Sequence, residues 1–477
     1  MNRISKYSFI RLCTVVVLFI FASCGEDRSG EYAELTQEDR WIEQQMQNIY
    51  LWYYDMPTVK EENYFAEPKE FFESLLSTKC RDGEGDHFSY FESDKTDNSA
   101  TDNSLLIDET SSYGFDFMIY NDPTGTTAHK MARVLFVLPD SPADEAGLKR
   151  GDWILKVRGI NVTDNNYGYL LQGGATTLTT ASLNSTTEEG EIVLSWGQET
   201  TLEIGASRQV TSNPFYKVEV FSQSGKNIGY LMYDHYSPGL TDTSTEYNEK
   251  MKQIFGDFKS RGVNEFILDL RYNPGGVMSC ITELCSFLAP VQNLGQPLFS
   301  LQYNNLNTNR NTTSHLNANL AAQNLGLNTL YVITSPYTAS ASETTIYCLK
   351  PYMDVKVIGS TTVGKNVASL GIASPYNFTL HPIVATIYNC KNQSDYENGI
   401  RPDYFYNEFS NADPLGEIGD PQSDALLKYT IQWILNGSLN LPTTETGIAS
   451  FRSNGRELSP HFTTLDHKRV RGNILTE

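Results

Sequence analysis

Hydrophobic and polar positions divide the chain into three differently patterned stretches. Over residues 36–95 the apolar positions recur near helical spacing. Trp41, Met46, Ile49, Tyr50 and Tyr53 follow Thr36-x-x-Asp39, a pattern that predicts a capped helix. A second helix is expected around residues 68–76. The aromatic density predicts packing onto a neighbouring domain, although the same rings also suit a peptide groove. Residues 96–104 are Asp, Asn, Ser and Thr apart from Ala100 and read as a linker. From residue 113 the elements shorten. Tyr113-Gly114-Phe115-Asp116-Phe117 is a glycine-aromatic turn opening a strand, residues 133–137 form a second strand, and residues 141–148 form a short helix stopped at Gly147. A turn and another strand follow over 149–159.

Past Pro214 strands and helices alternate. Strands are expected at 227–231, 265–271, 330–333 and 355–358. Helices are expected at 247–259, 281–288, 344–349 and 426–435. That order predicts an α/β unit. Residues 302–326, rich in Asn and Leu, read as a helical insertion or a flexible lid. The tail from 446 carries several Arg and Lys and shows no period.

The totals narrow the function classes. The 477 residues allow two to four domains, and 40% hydrophobic with 19% charged residues is an ordinary globular composition. A formal net charge of −21 argues against nucleic acid or anionic lipid as a partner surface. No metal motif is present and no cofactor is expected. Cys80, Cys280, Cys285, Cys348 and Cys390 form no disulfide framework, and Cys280 and Cys348 sit in apolar contexts suited to a core.

The first residues look like an export address. Arg3, Lys6 and Arg11 precede an apolar run over 12–21 that is too short to span a bilayer. The run ends Phe21-Ala22-Ser23-Cys24, which resembles a bacterial lipoprotein signal with residues 1–23 removed and Cys24 lipidated. Phe21 stands where such signals usually carry Leu. An ordinary secretory signal cleaved nearby is the alternative. The lipoprotein reading implies an anchor in a bacterial membrane of the cell envelope, the outer membrane, on its periplasmic or surface face.

The candidate chemistry centres on Thr338-Ala339-Ser340-Ala341-Ser342-Glu343. The apolar run before it predicts a buried strand and the segment after it a helix ended at Pro351. Ser340 therefore stands at a helix N-terminus, where free N–H groups and the dipole favour an oxyanion. Ser340-x-x-Glu343 is also a capping box, which by itself only starts a helix. A serine nucleophile needs a base. Lys365, in Gly364-Lys365-Asn366 after a buried strand, serves if burial lowers its pKa from about 10.4. Ala341 and the turn Gly275-Gly276 are the candidate backbone donors for an oxyanion hole. Asp269 is expected to pair with an Arg or a backbone group, and His235 is a weaker alternative base.

Two resemblances give these motifs a context. The stretch SPADEAGLKRGDWILKVRGINV resembles a PDZ domain of the bacterial protease type. That implies that the loop of Gly114, Phe115, Asp116 and Phe117 offers N–H groups to a peptide C-terminal carboxylate. DLRYNPGG, TASASE, GKN and GIRPD, in that order, resemble the C-terminal processing peptidases, or tail-specific proteases. Ser340 and Lys365 are twenty-five residues apart, the separation that family uses for a Ser/Lys dyad. Asn366 stands where the family usually has Gly, and Ser369 where many members place an orienting Gln. Ser369 and Glu343 are both candidates to orient Lys365. Ser369 is favoured, because a carboxylate beside the lysine raises its pKa.

The resemblance implies a multidomain α+β chain. A signal peptide covers 1–23, a helical N-terminal domain and linker 24–104, a PDZ domain 105–212, a catalytic core of crotonase-like type 213–445, and an unassigned tail 446–477. It implies an exported serine endopeptidase acting on proteins or peptides through their C-terminal tails. The rival reading is a non-catalytic peptide-binding surface lipoprotein that keeps the fold.

Overall fold

The chain packs as helices leading into two sheet systems, and its final residues run back across both. The structure is a computed structural model that describes residues 29–93, 111–188, 191–211, 213–240, 244–410, 412–439, 449–450, 458–466 and 474–475. The export segment, Cys24 and the 96–104 linker lie outside the described residues. No described helix is long and apolar enough to cross a membrane.

Helix α1 (Ser29–Ile49) begins upstream of the expected cap. Thr36 lies inside it and donates its hydroxyl back to the Tyr32 carbonyl at 2.8 Å, a mid-helix habit of threonine. Met46 and Ile49 face inward, as the helical spacing predicts, and Ile42 joins them while Trp41 is half-buried. A shorter α2 (Pro68–Ser74) opens with proline at its first turn and buries Phe71 and Phe72. Strand β1 (Tyr90–Ser93) follows.

The second unit is built from β2 (Phe115–Asn121), β3 (Lys130–Val137), β4 (Trp153–Val157), β5 (Ile160–Asn161), β6 (Thr176–Ala181) and β9 (Thr200–Ile204). The hairpin β7 (Leu183–Glu188) and β8 (Glu191–Trp196) stands apart as a two-stranded ribbon. The short α3 (Pro142–Glu145) is capped by Ser141, whose Oγ accepts the Asp144 N–H at 3.1 Å.

The third unit holds β10 (Phe215–Gln223), β11 (Lys226–Tyr233), α4 (Glu246–Ser260), β12 (Glu265–Asp269), α5 (Ser279–Leu288), β13 (Pro297–Tyr303), β14 (Thr312–His315), β15 (Thr329–Thr334), α6 (Ala341–Leu349) and β16 (Asp354–Gly359). It continues with β17 (Val367–Leu370), β18 (Ile372–Ala373), β19 (Phe378–His381), β20 (Ile383–Asn389), β21 (Tyr404–Phe405) and α7 (Ala425–Asn436). Its main sheet runs β10-β11-β12-β15-β16-β21, parallel from β11 onward. Strands buried on both faces read as continuous apolar runs, which is why 266–268 and 330–333 stand out in the sequence. A second sheet runs β14-β13-β20-β17.

Residues 302–326 are neither a helical insertion nor a lid. They form the end of β13, strand β14 and single 3₁₀ turns. Their asparagines replace missing backbone partners. The Asn324 amide donates to the carbonyls of Ser286 at 2.7 Å and Ala289 at 2.8 Å, and that of Asn304 donates to Tyr50 at 3.0 Å.

The tail, patternless in sequence, supplies an edge strand to three sheets. These are β22 (Ala449–Ser450) on β21, β23 (Pro460–Thr463) on β2, and β24 (Ile474–Leu475) on β17. The N-terminal helices do not close a core alone either. Their apolar cluster is completed by Val367, Phe378, Leu380 and Ile383 of the third unit, and β1 pairs with β19.

Candidate active site

The end of β15 and the turn after β12 are sewn together before either reaches the site. Thr338 donates its hydroxyl to the Leu270 carbonyl at 2.8 Å, the Ala339 N–H goes to the Asn273 carbonyl at 3.1 Å, and the Ser342 hydroxyl reaches the same carbonyl at 3.2 Å. Ser340 sits at the junction with φ +65° and ψ −117°, immediately before α6. A non-glycine residue there is strained by about 1–3 kcal/mol and persists only where its surroundings over-determine it. Its Oγ is buried and has no hydrogen-bond partner among the described residues. The capping box is therefore half used for capping. Glu343 accepts the Ser340 N–H at 2.7 Å, while the hydroxyl stays unspent.

Gly275 lies against that hydroxyl. With φ +103°, a Cβ there would stand 2.7 Å from Ser340 Cβ and 2.9 Å from both Ser340 Oγ and Ala341 N. Only glycine permits the approach. Its own N–H donates to Asn273 Oδ1 at 2.9 Å, so Gly275 supplies closeness and not a donor. The N–H groups of Gly276 and Ala341 find no acceptor among the described residues. Of the three residues expected to form an oxyanion hole, these two carry available donors.

Lys365 lies in the loop from β16 to β17 and is wholly buried. Glu343 binds that loop to the Ser340 turn. Its carboxylate accepts the Thr362 hydroxyl and the Gly364 N–H, both at 2.5 Å, and the Lys365 N–H at 2.8 Å, besides that of Ser340. Thr362 is held in turn by the Ile400 N–H at 2.7 Å, which gives the Gly399-Ile400 motif its place. Burial pushes the Glu343 carboxyl up, and these four donors oppose the shift without cancelling it. Burial lowers the Lys365 ammonium from 10.5 to about 8, against the opposing pull of Asp86 and Glu343. Ser369 is buried in β17, at a register shift against β20.

Three residues of the site carried no readable signal in the sequence. Asp86 is the first charge acting on Lys365, and the lysine Nζ stands 5.5 Å from the centre of the Phe88 ring. Asp86 is held by the Tyr50 hydroxyl at 2.8 Å, the Ser89 hydroxyl at 2.5 Å and the Phe88 N–H at 2.9 Å. Arg81 clasps the lysine loop from outside, donating to the Glu397 carbonyl at 2.7 Å and the Gly364 carbonyl at 3.1 Å. All three come from the N-terminal unit. His235 has its Nδ1 3.4 Å from Asp234.

Comparison with known proteins places this geometry. The Peptidase family S41 model matches residues 227–405, the Peptidase S41 N-terminal domain matches 37–90 and a PDZ domain matches 133–181. The crystal structure of an S41 protease from Bacteroides fragilis is 34% identical, with a TM-score of 0.74 over 84% of this chain and 98% of that one. The chain belongs to peptidase family S41. Its three units are the S41 N-terminal domain, the PDZ domain and the S41 core, and Ser340 and Lys365 both fall inside the core match. Among curated relatives, the carboxy-terminal processing protease CtpA of Bacillus subtilis is 24% identical over 66% of this chain and 65% of its own length. The carboxyl-terminal-processing protease of Synechocystis is 26% identical over 49% of each chain. The matched stretches thus span between about half and two thirds of these relatives.

The expected peptide-binding residues Gly114 to Phe117 lie in the PDZ domain. The Gly114 N–H donates to Ser112 Oγ at 3.2 Å, and that of Phe117 to Thr464 Oγ1 at 3.1 Å. Asp269 pairs with Arg271, as expected, at 2.6 Å.

Proposed function

We propose that this S41 member is an exported serine endopeptidase in which Ser340 is the nucleophile and Lys365 the base. The observation that carries the reading is the Glu343 bridge. One buried carboxylate fixes both a strained serine with an unspent hydroxyl and a lysine whose burial favours its neutral form. Neutral Lys365 takes the proton of Ser340 Oγ as the oxygen attacks the scissile carbonyl. The carbonyl oxygen becomes an oxyanion held by the Gly276 and Ala341 N–H groups. Lys365, now an ammonium, returns its proton to the departing amine, and the acyl-enzyme forms. Water, giving a proton to Lys365, then attacks the acyl carbonyl, and Lys365 passes that proton to Ser340 Oγ as the acid leaves.

The ammonium formed midway is buried, so it needs compensation. Asp86 and Glu343 supply it. Ser369 orients the lysine by its hydroxyl, and Glu343 acts mainly by holding the two loops. Substrate tails engage through the PDZ domain. Lipidation at Cys24 anchors the protein to the cell envelope, and Cys24→Ala releases it from the membrane fraction.

The test is digestion of casein or a tail peptide by wild type and Ser340→Ala, with a serine-directed probe read by mass spectrometry. Cleavage lost in the variant and labelling at Ser340 are expected. A folded wild type that neither cleaves nor labels would instead support a non-catalytic peptide-binding lipoprotein.

A further inference from the structure

A PDZ domain takes its ligand as an extra antiparallel strand on a free sheet edge, beside a groove for alternate side chains. In this chain that edge is taken. β23 pairs antiparallel with β2, Thr463 opposite Met118 and Phe462 opposite Ile119, and runs toward the Gly114 turn. The ladder continues past the strand. The Thr464 N–H donates to the Phe117 carbonyl at 3.2 Å, and its hydroxyl accepts the Phe117 N–H at 3.1 Å and donates to Asp116 Oδ1 at 2.8 Å.

Side chains follow the backbone into the groove. The Phe462 ring centre lies 4.5 Å from that of Tyr167 and 6.1 Å from that of Phe117, so it fills the space between β2 and the 3₁₀ turn at Tyr167–Leu170. Thr463, Thr464 and Leu465 are buried. Leu458 is buried too, and its N–H donates to the Ser410 carbonyl at 2.7 Å.

We infer that residues 458–466 are a built-in ligand of the PDZ groove, bound in cis, and that a peptide from another protein enters only by displacing them. The occupant defines the class of competitor. It is an extended peptide with an aromatic side chain for the Phe117–Tyr167 pocket and, two residues on, a hydroxyl within reach of Asp116. The chain continues beyond 466, so the groove recognises this segment without a terminal carboxylate. The displacement also bears on the core, because β24 of the same tail pairs with Ser369 and Leu370 in β17. The inference rests on the PDZ assignment and not on proteolysis.

A tethered ligand acts at an effective concentration of about millimolar, against which an added peptide must compete. The test uses full-length Ser340→Ala, so that turnover plays no part, and a fluorescent peptide of the sequence 458–466 read by anisotropy. Adding Phe462→Ala and Thr464→Ala to the protein should tighten peptide binding by about tenfold or more. Equal binding by the two proteins, or binding by neither, overturns the inference. Hydrogen exchange covers the possibility that the double change disturbs folding. In Ser340→Ala alone, amides of 458–466 should be protected and should lose protection when excess peptide is added. Exchange as fast as in the free peptide overturns the inference as well.

Discussion

Two buried charged clusters, one around Arg271 and one around Lys365, are built on opposite principles. Arg271 touches Asp269 at 2.6 Å, Asp424 at 2.8 Å and Glu408 at 3.1 Å, and the PDZ residue Arg150 meets the same Glu408 at 2.8 Å. The hydroxyls of Tyr230 and Tyr272 complete the set at 2.8 Å and 2.6 Å. Burial lowers the Arg271 guanidinium, but its three carboxylates more than reverse this and hold it well above its ordinary value. Burial likewise pushes Glu408 up, and the two arginines bring it below its usual range. Around Lys365 the balance goes the other way. Burial wins over Asp86 and Glu343, whose oxygens are engaged by other donors, and the cation is destabilised. Saturating a buried charge fixes a domain junction. Leaving one undercompensated yields a group that exchanges a proton near neutral pH.

The sharpest test of this contrast is activity. Ser340→Ala and, separately, Lys365→Arg should each lower kcat/KM by about 10³-fold or more, because in the proposed mechanism the two act as a unit and arginine stays protonated. Melting temperatures should barely change for Ser340→Ala. Turnover by Lys365→Arg would remove Lys365 as the base.

Stability should then separate the clusters by sign. Arg271→Leu leaves buried Asp269 and Asp424 without their cation and Glu408 with Arg150 alone, and should cost about 3–5 kcal/mol in denaturant titration. Lys365→Met removes a cation that burial opposes and should stabilise by about 1–3 kcal/mol at pH 7. The pH dependence follows from linkage. The Lys365 pKa is about 8 when folded against an ordinary value of 10.5, so its cost is fully present below 8 and fades as pH rises to 10.5. The gain from Lys365→Met should fade over the same window. A gain independent of pH would mean the lysine is not buried as a cation.

The smallest effect concerns Asp86. Wild-type activity should rise with pH through about 8, since the proposed base is competent only as neutral Lys365. Asp86→Asn removes the first of the two carboxylates facing the lysine, Glu343 being the other. The acid limb should move to lower pH by about one unit or less. A limb that stays in place while stability falls would leave Asp86 a purely structural role.

Legibility in the sequence followed locality. The Ser340 turn and the Lys365 loop could be read as structure because strand, turn and helix are adjacent in the sequence. Which glycine donates could not be read, since it depends on the Asn273 side chain taking the Gly275 N–H. Asp86 and Phe88 reach Lys365 only through docking of distant segments. The 302–326 stretch misled because asparagine signals loops, and here its amides serve as backbone substitutes. The tail gave no period because strands of two, four and two residues, on three different sheets, are too short to show one.

Both ends of the chain converge on β17, the strand leaving the lysine loop. The N-terminal domain completes its core with Val367, and β24 adds at Ser369 and Leu370. A half-assembled chain has no Asp86–Phe88 cover over the lysine, and an amine in water stays charged until about pH 10.4. The low lysine pKa on which the proposed base depends therefore waits for the N-terminal unit to dock. Under the proposed mechanism a partly assembled molecule holds both side chains yet keeps the lysine charged, so the fold acts as its own safety catch.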